Sequence, residues 1–173
     1  AATSSTVALA TTPTTAAALR RLGAPDVRLA MEAHMRSVPA ADSPPQSGRG
    51  SGDDGPIVVG VGRLIEWKAY HLALRAWARA DVPGTFHLFG AGPSLPKLKR
   101  VVDEEGGGGL SAGVVFHGHA SREELLSFLA RARLLVHPSL HDSGGWAVLE
   151  AMQSGVPVVC WDHAGPGQQV VDT

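Results

Sequence analysis

The sequence predicts an α/β fold, an open parallel sheet with helices on both faces, and two observations carry that expectation. Five short apolar runs recur after residue 55: IVVGVG, TFHLFG, GVVFHG, RLLVHPS and VPVVCW. Between them lie segments whose apolar residues return at helical spacing: KAYHLALRAWARA, SLPKLKRVVDEE, SREELLSFLARA and GWAVLEAMQSG. Strands that alternate with helices are joined by right-handed crossovers, which run the strands parallel. Sheets of this kind bind ligands just beyond the C-terminal ends of their strands.

Each element has a local reason. VALA at 7–10 predicts a short strand, TTAAALRRLG a helix stopped by Gly23, and VRLAM at 27–31 a second strand. This small unit has no partners for its apolar faces. Residues 37–55, SVPAADSPPQSGRGSGDDG, are dense in Pro, Gly, Ser and Asp and too poor in apolar groups to repay the entropy of ordering, so they predict a linker. In the regular region Ser121 with Glu124 forms a capping box, Gly155 and Pro157 close the fourth helix, and four glycines at 106–109 make a loop. The terminal VVDT follows an apolar pair that reads as the opening of a helix.

Bulk properties narrow the function. A chain of 173 residues, 44% hydrophobic and 18% charged, supports one good core plus an extra segment. Fifteen Lys and Arg against 16 Asp and Glu give a net charge of -1, so no global positive field gathers nucleic acid or an anionic membrane, and a polyanionic ligand must be held locally. One cysteine, Cys160, makes no internal disulfide, and no stretch reaches the length of apolar residues that spans a bilayer. The chain reads as soluble and cytoplasmic. It opens AATSSTVALATT, with no initiating Met and no secretory signal, and stops abruptly, which leads us to expect a piece of a longer polypeptide.

Three stretches fall at strand ends. In GVGRLIEWK, Gly60 and Gly62 allow close backbone approach, and Arg63 and Lys68 are two cations of different reach that can grip a diphosphate from separate sides. The same residues also fit plain surface charge or a dinucleotide-type turn, although Ile65 stands where that turn needs its third glycine. In FGAGPSL, Gly90 and Gly92 follow a strand and Pro93 opens a helix. This is either a backbone-lined nucleobase pocket or a tight turn that serves packing.

The third stretch is HDSGGWAVLE. Ser143, Gly144 and Gly145 sit at a helix N-terminus, where unpaired amides donate to a phosphate or a sugar hydroxyl. Asp142, just before it, is a hydroxyl acceptor or an ordinary N-cap. Glu150 is a ribose ligand or a solvated helix residue, and its place between Leu149 and Ala151 in an apolar helix calls for a partner. In a continuous helix Asp142 and Glu150 would stand about 12 Å apart, too far for a hydrolytic carboxylate pair.

Together GVGRLIEWK, FGAGPSLPKL, VFHGHASREELLSFLARARLLVHPSLHDSGGWAVLEAMQSGVPVV and the trailing AGPG resemble the donor-binding domain of retaining glycosyltransferases of the GT-B fold, of the glycosyltransferase family 4 kind. The resemblance covers about residues 56–173, with the motifs in the family's order and spacing. It implies a Rossmann-like sheet that is one half of a GT-B fold. It also implies transfer of a sugar from a nucleotide-diphosphate sugar to an acceptor with retention of configuration, with no metal and no cofactor. Arg63 and Lys68 would hold the diphosphate and stabilise its charge as it leaves. Glu150 would bind the ribose, and Asp142 with the amides from Ser143 to Trp146 would hold the transferred sugar. Gly62, Gly90 and Gly92 would line the donor site. Asp142 stands where the family more often has Glu, and Ala69 where Gly commonly follows the lysine. Residues 1–36 resemble the end of the family's N-terminal acceptor domain, giving a remnant at 1–36, a linker at 37–55 and a C-terminally truncated donor domain at 56–173. With the rest of the acceptor domain missing, the expectation is a chain that binds donor but transfers poorly.

Two other classes fit parts of the pattern: a noncatalytic nucleotide-sugar binding module, and a nicotinamide enzyme with a degenerate turn. The nicotinamide reading needs an acid at the end of the second strand, and TFHLFGAG offers none. The histidine pairs His117 with His119 and His137 with His141 lack a third ligand at readable spacing, so the sequence predicts no metal site; His137 and His141 can instead touch the donor. Trp77 reads as core. Trp146 reads as a packing residue or a stacking surface near the sugar, and Cys160 as an apolar filler without a base.

Overall fold

The computed structural model describes residues 7–10, 12–30, 55–80, 82–105, 113–142 and 144–170. Apart from Gly55 the expected linker lies outside these residues, as do the glycine run at 106–109 and Ser143. The first unit is β1 (Ala8–Ala10), α1 (Pro13–Arg21) and β2 (Val27–Leu29), with the two strands parallel. Thr12 caps α1 by accepting from the Thr15 amide at 3.1 Å, and Arg20 and Arg21 lie at its negative end.

The second unit runs β3 (Ile57–Val61), α2 (Tyr70–Ala80), β4 (Thr85–Phe89), α3 (Leu95–Glu105), β5 (Val114–Gly118), α4 (Arg122–Leu129), β6 (Leu134–His137), α5 (Trp146–Gln153), β7 (Val158–Cys160) and α6 (Ala164–Gln169). All five expected strands and four expected helices form. The Ser121 hydroxyl accepts from the Glu124 amide at 3.1 Å, as its spacing predicts. Pro93 precedes its helix by a turn, and α3 begins at Leu95. The helix expected to open at the chain's end falls, beyond Val170, outside the described residues. Ahead of it α6 forms on AGPGQQ, and Val170 leaves that helix in an extended conformation.

The sheet order is β5-β4-β3-β6-β7 with every pair parallel. The chain steps from β3 outward through β4 to β5, then crosses back to lay β6 on the other side of β3. Loops leaving β3 and β6 therefore diverge and open a crevice at the carboxyl end of the sheet. The pleat of β3 divides the core in two. Val58 packs on one face with Leu74, Phe86, Leu88 and Leu98, while Val59 packs on the other with Leu129, Leu135, Val148 and Ala151. Helices α2 and α3 cover the first face; α4 and α5 cover the second. Trp77 packs on the first core, edge-on to Phe86 with ring centroids 6.0 Å apart.

Candidate functional site at the switch point

The loops leaving β3 and β4 are joined through their backbones. Gly62 N donates to Phe89 O at 3.0 Å, Leu64 N to Ala91 O at 2.9 Å, and Ser94 N to Leu64 O at 2.8 Å. A Cβ on Gly90 would lie 1.9 Å from Gly62 O, and one on Gly92 would lie 2.4 Å from Leu64 O. The packing reading of FGAGPSL holds, since the turn is fixed by contact with the β3 loop. Both glycines are required by contact between the loops, but only Gly90, with Ala91, lines the adjoining cavity of about 220 Å³ bounded by Gly62, Arg63, Gly118, His119, Ala120 and Leu125; Gly92 is not part of its lining.

The two cations of GVGRLIEWK differ in state. Arg63 is exposed at the cavity, and its guanidinium makes no hydrogen bond or ion pair among the described residues. Lys68, at the end of a tight helical turn formed by Glu66–Lys68, is half-buried, and its Nζ bonds Asp142 Oδ2 across the crevice. The sequence treats them as a matched pair open to a ligand. In the structure Arg63 is open and Lys68 is engaged.

Asp142 gathers donors from three directions. Besides Lys68, His137 Nε2 donates to Oδ2 at 2.9 Å, and the Gly145 amide donates to Oδ1 at 3.3 Å. Burial works to raise its pKa, but the hydrogen bonds from His137, Lys68 and Gly145 and the Lys68 charge hold the carboxyl well below the usual carboxylate range. The Gly145 amide is thereby corrected from a free donor to a partner of Asp142. The first-turn amides of Trp146 and Ala147 have no acceptor among the described residues. Gly145 starts α5 at φ 52, Gly144 O accepts from Gln169 Nε2 at 2.6 Å, and Trp146 is 39% exposed, which removes it from the core.

Ala69 takes the left-handed conformation, φ 52 and ψ 28, that a glycine would take after the lysine. Its methyl is fully buried. Glu150 has the partner its apolar setting demands: Arg122 Nη1 at 3.0 Å.

The segment after β7 braces the Asp142 loop. Trp161 Nε1 donates to Pro138 O at 3.0 Å, His163 Nε2 to Leu140 O at 2.9 Å, and Gly165 N to Asp142 O at 3.1 Å. Sequence reasoning missed Trp161, His163, Gln169 and Arg122, whose partners lie 23 to 28 residues away with no periodic signal. His137 is 2% exposed and faces Asp142, so it is corrected from a residue that touches a ligand, whereas His141 is exposed. His117 pairs with His87, Nε2 to Nδ1 at 2.8 Å, instead of with His119. No group of three potential metal ligands occurs among the described residues. Cys160 is only half-buried, and burial together with Asp162 pushes its thiol up. No helix among the described residues is long and apolar enough to cross a membrane.

Comparison with known proteins gives the family. The profile described as "Glycosyl transferases group 1" matches residues 46–173. The chain is 30% identical over 116 residues to 2-deoxystreptamine glucosyltransferase of Streptomyces kanamyceticus, covering 65% of this chain and 29% of that protein. It is 37% identical over 125 residues to D-inositol 3-phosphate glycosyltransferase of Mycolicibacterium smegmatis, covering 69% and 28%. The chain thus spans under a third of the length of these relatives. Among solved structures, sucrose-phosphate synthase from Thermosynechococcus elongatus superposes with a TM-score of 0.76 at 25% identity, over 98% of this chain and 44% of that one. Anabaena HepE, in complex with UDP and glucose, superposes at 0.76 with 19% identity, over 97% and 47%. These neighbours bear out the Rossmann-like half of a GT-B fold. By profile, sequence and architecture, the chain belongs to the group 1 glycosyl transferases.

Proposed function

We propose that this chain carries the donor site of a glycosyltransferase that moves a sugar from a nucleoside-diphosphate sugar to an acceptor hydroxyl, with retention and without a metal. The observation that supports it is the unpaired Arg63 guanidinium at the mouth of a backbone-floored cavity, with Lys68 across the switch point. In the reaction the bond between the anomeric carbon and the diphosphate oxygen breaks, and the electron pair leaves with the diphosphate. Arg63 and Lys68 stabilise that charge, Arg63 from the exposed rim and Lys68 from a partly desolvated position. The acceptor oxygen bonds the anomeric carbon on the face the diphosphate left, and the acceptor proton departs with the leaving group or to solvent. The Trp146 and Ala147 amides add a positive helix end, the cavity takes the base, and Glu150 takes the ribose hydroxyls. Asp142 holds the transferred sugar. The reading includes no cofactor and no nucleic-acid partner, a cytoplasmic setting, and an acceptor bound mainly by an N-terminal domain of the whole protein.

Calorimetric titration of this chain with a panel of nucleoside diphosphates and their sugar conjugates tests the reading, with UDP first because HepE is solved with it. Saturable binding that Arg63→Ala weakens by about tenfold is expected for loss of a charge-assisted phosphate contact. Absence of binding across the panel, or binding indifferent to Arg63→Ala, overturns it.

A further inference from the structure

Lys68 and a diphosphate compete for the same ammonium, because in the structure that ammonium already sits on Asp142 Oδ2. If Lys68 moved to a ligand and nothing else held Oδ2, an oxygen of a carboxylate only 14% exposed would be left without a donor, which is a costly state. His137 meets that need. It is the last residue of β6, its ring is 2% exposed, and its Nε2 reaches the same Oδ2 at 2.9 Å from the side opposite solvent.

Since Asp142 is held ionised, it can only accept, so His137 carries its proton on Nε2. Its other nitrogen, Nδ1, is buried with no hydrogen-bond partner among the described residues. The bond from Nε2 to Oδ2 is thus the one hydrogen bond of this ring among the described residues. The brace from Trp161, His163 and Gly165 holds the backbone of the Asp142 loop, while the carboxylate itself is oriented by side chains and the Gly145 amide.

We propose that His137 is a positioning residue of the donor site: its Nε2–H holds the Asp142 carboxylate in place when Lys68 leaves it for the donor diphosphate. This rests on the donor-site reading above. Loss of His137 leaves Lys68 as the one side-chain donor to Asp142, so Lys68 is retained and the diphosphate binds less tightly.

The test uses the whole chain, with UDP as the titrant and a carbon-detected NMR pH titration of the Asp142 carboxyl. His137→Phe is expected to raise the Asp142 midpoint and to weaken UDP binding by about tenfold, the usual worth of a hydrogen bond to a charged group. His137→Gln places an amide donor near the Nε2 position and should restore both. In an Asp142→Asn background, where Lys68 is free, His137→Phe should change binding by less than about twofold, the additivity expected of uncoupled sites. If His137→Phe does not fold by circular dichroism, His137→Asn takes its place, since its amide is too short to reach Oδ2. UDP binding that depends on Arg63 but is unmoved in the His137 variants, or a Gln variant no better than Phe, overturns the proposal alone. No binding of UDP or any other nucleoside diphosphate by the parent chain overturns the donor-site reading and this proposal with it.

Discussion

Arg122, the first residue of α4, reaches across to α5 and places Nη1 3.0 Å from Glu150 Oε1. The arginine is 48% exposed and the glutamate 16%, so solvent screens the pair, and exposed pairs of this kind stabilise by about 1 kcal/mol at most. Arg122→Ala should lower the melting temperature by no more than about 4 °C, given the usual conversion for a domain of this size. Glu150→Ala should melt in the same range yet, on the proposed ribose role, bind nucleoside diphosphates about tenfold more weakly. Differential scanning calorimetry beside ligand titration checks both. Equal affinity in Glu150→Ala and parent would remove the ribose role.

Two glycines of the site make opposite predictions. Gly90→Ala drives a methyl to 1.9 Å from Gly62 O, and the partner there is backbone that is itself hydrogen-bonded to β4. The loops must part, at a cost of about 3 kcal/mol or more. Gly118, at φ 71, has nothing within 4 Å of a built Cβ, so Gly118→Ala meets only the left-handed penalty of about 1 kcal/mol. Urea midpoints should rank parent, Gly118→Ala, then Gly90→Ala. A reversed order would contradict the close loop contact.

Ala69 tests a balance. Glycine there would relieve about 1–2 kcal/mol of left-handed strain, but it would also free the unfolded chain and remove a buried methyl, each worth about 0.5–1 kcal/mol. The terms nearly cancel. Ala69→Gly should therefore melt within about 3 °C of the parent, whereas Ala69→Val, a branched residue at φ 52 with no exposed surface, should fall by more than about 5 °C. Comparable melting of the Val variant and parent would show that this turn is not held left-handed.

Acid sensitivity should begin with histidines. Burial holds His87 and His117 below their ordinary 6.5, assisted at His87 by the charges of His117 and Arg131 and opposed at His117 by Glu124. A base with a lowered folded pKa binds fewer protons when folded. Its stability contribution is whole above 6.5 and is lost as pH falls through the folded value. Asp142 behaves differently: its folded pKa is depressed, so its contribution persists down to its unfolded 3.8 and is lost only below that. Melting temperature should therefore decline between about pH 7 and 5, with a shallower slope in the double variant His87→Asn, His117→Asn and an unchanged slope in Asp142→Asn. An unaltered slope in the histidine double variant refutes the assignment.

The elements were legible wherever periodicity was strong. Val58 and Val59 sit in opposite cores as alternation requires, and Ser121 caps α4 as its spacing to Glu124 implies. Nothing announces α6, because Gly165, Pro166 and Gly167 argue against a helix that packing nonetheless forms. At the site, the residue types were readable but their partners were not. Lys68 and Asp142 are 74 positions apart, and they meet only because β6 returns beside β3, a strand order that no local pattern encodes. His87 and His117 lie on neighbouring strands for the same reason. Motif spacing gave Asp142 and Glu150 roles toward a ligand, while their internal partners His137 and Arg122 come from other elements and carry no signature.

Because the loops leaving β3 and β4 satisfy one another through main-chain amides and carbonyls, the basin they form takes its shape from backbone and from the absence of side chains at Gly90 and Gly92. Mutation can abolish it by wedging the strands apart, but cannot retune it by degrees. On the proposed donor-site reading, discrimination among flat heterocyclic guests is left to the rim, above all to His119, since Ala120 and Leu125 also pack on the core beneath.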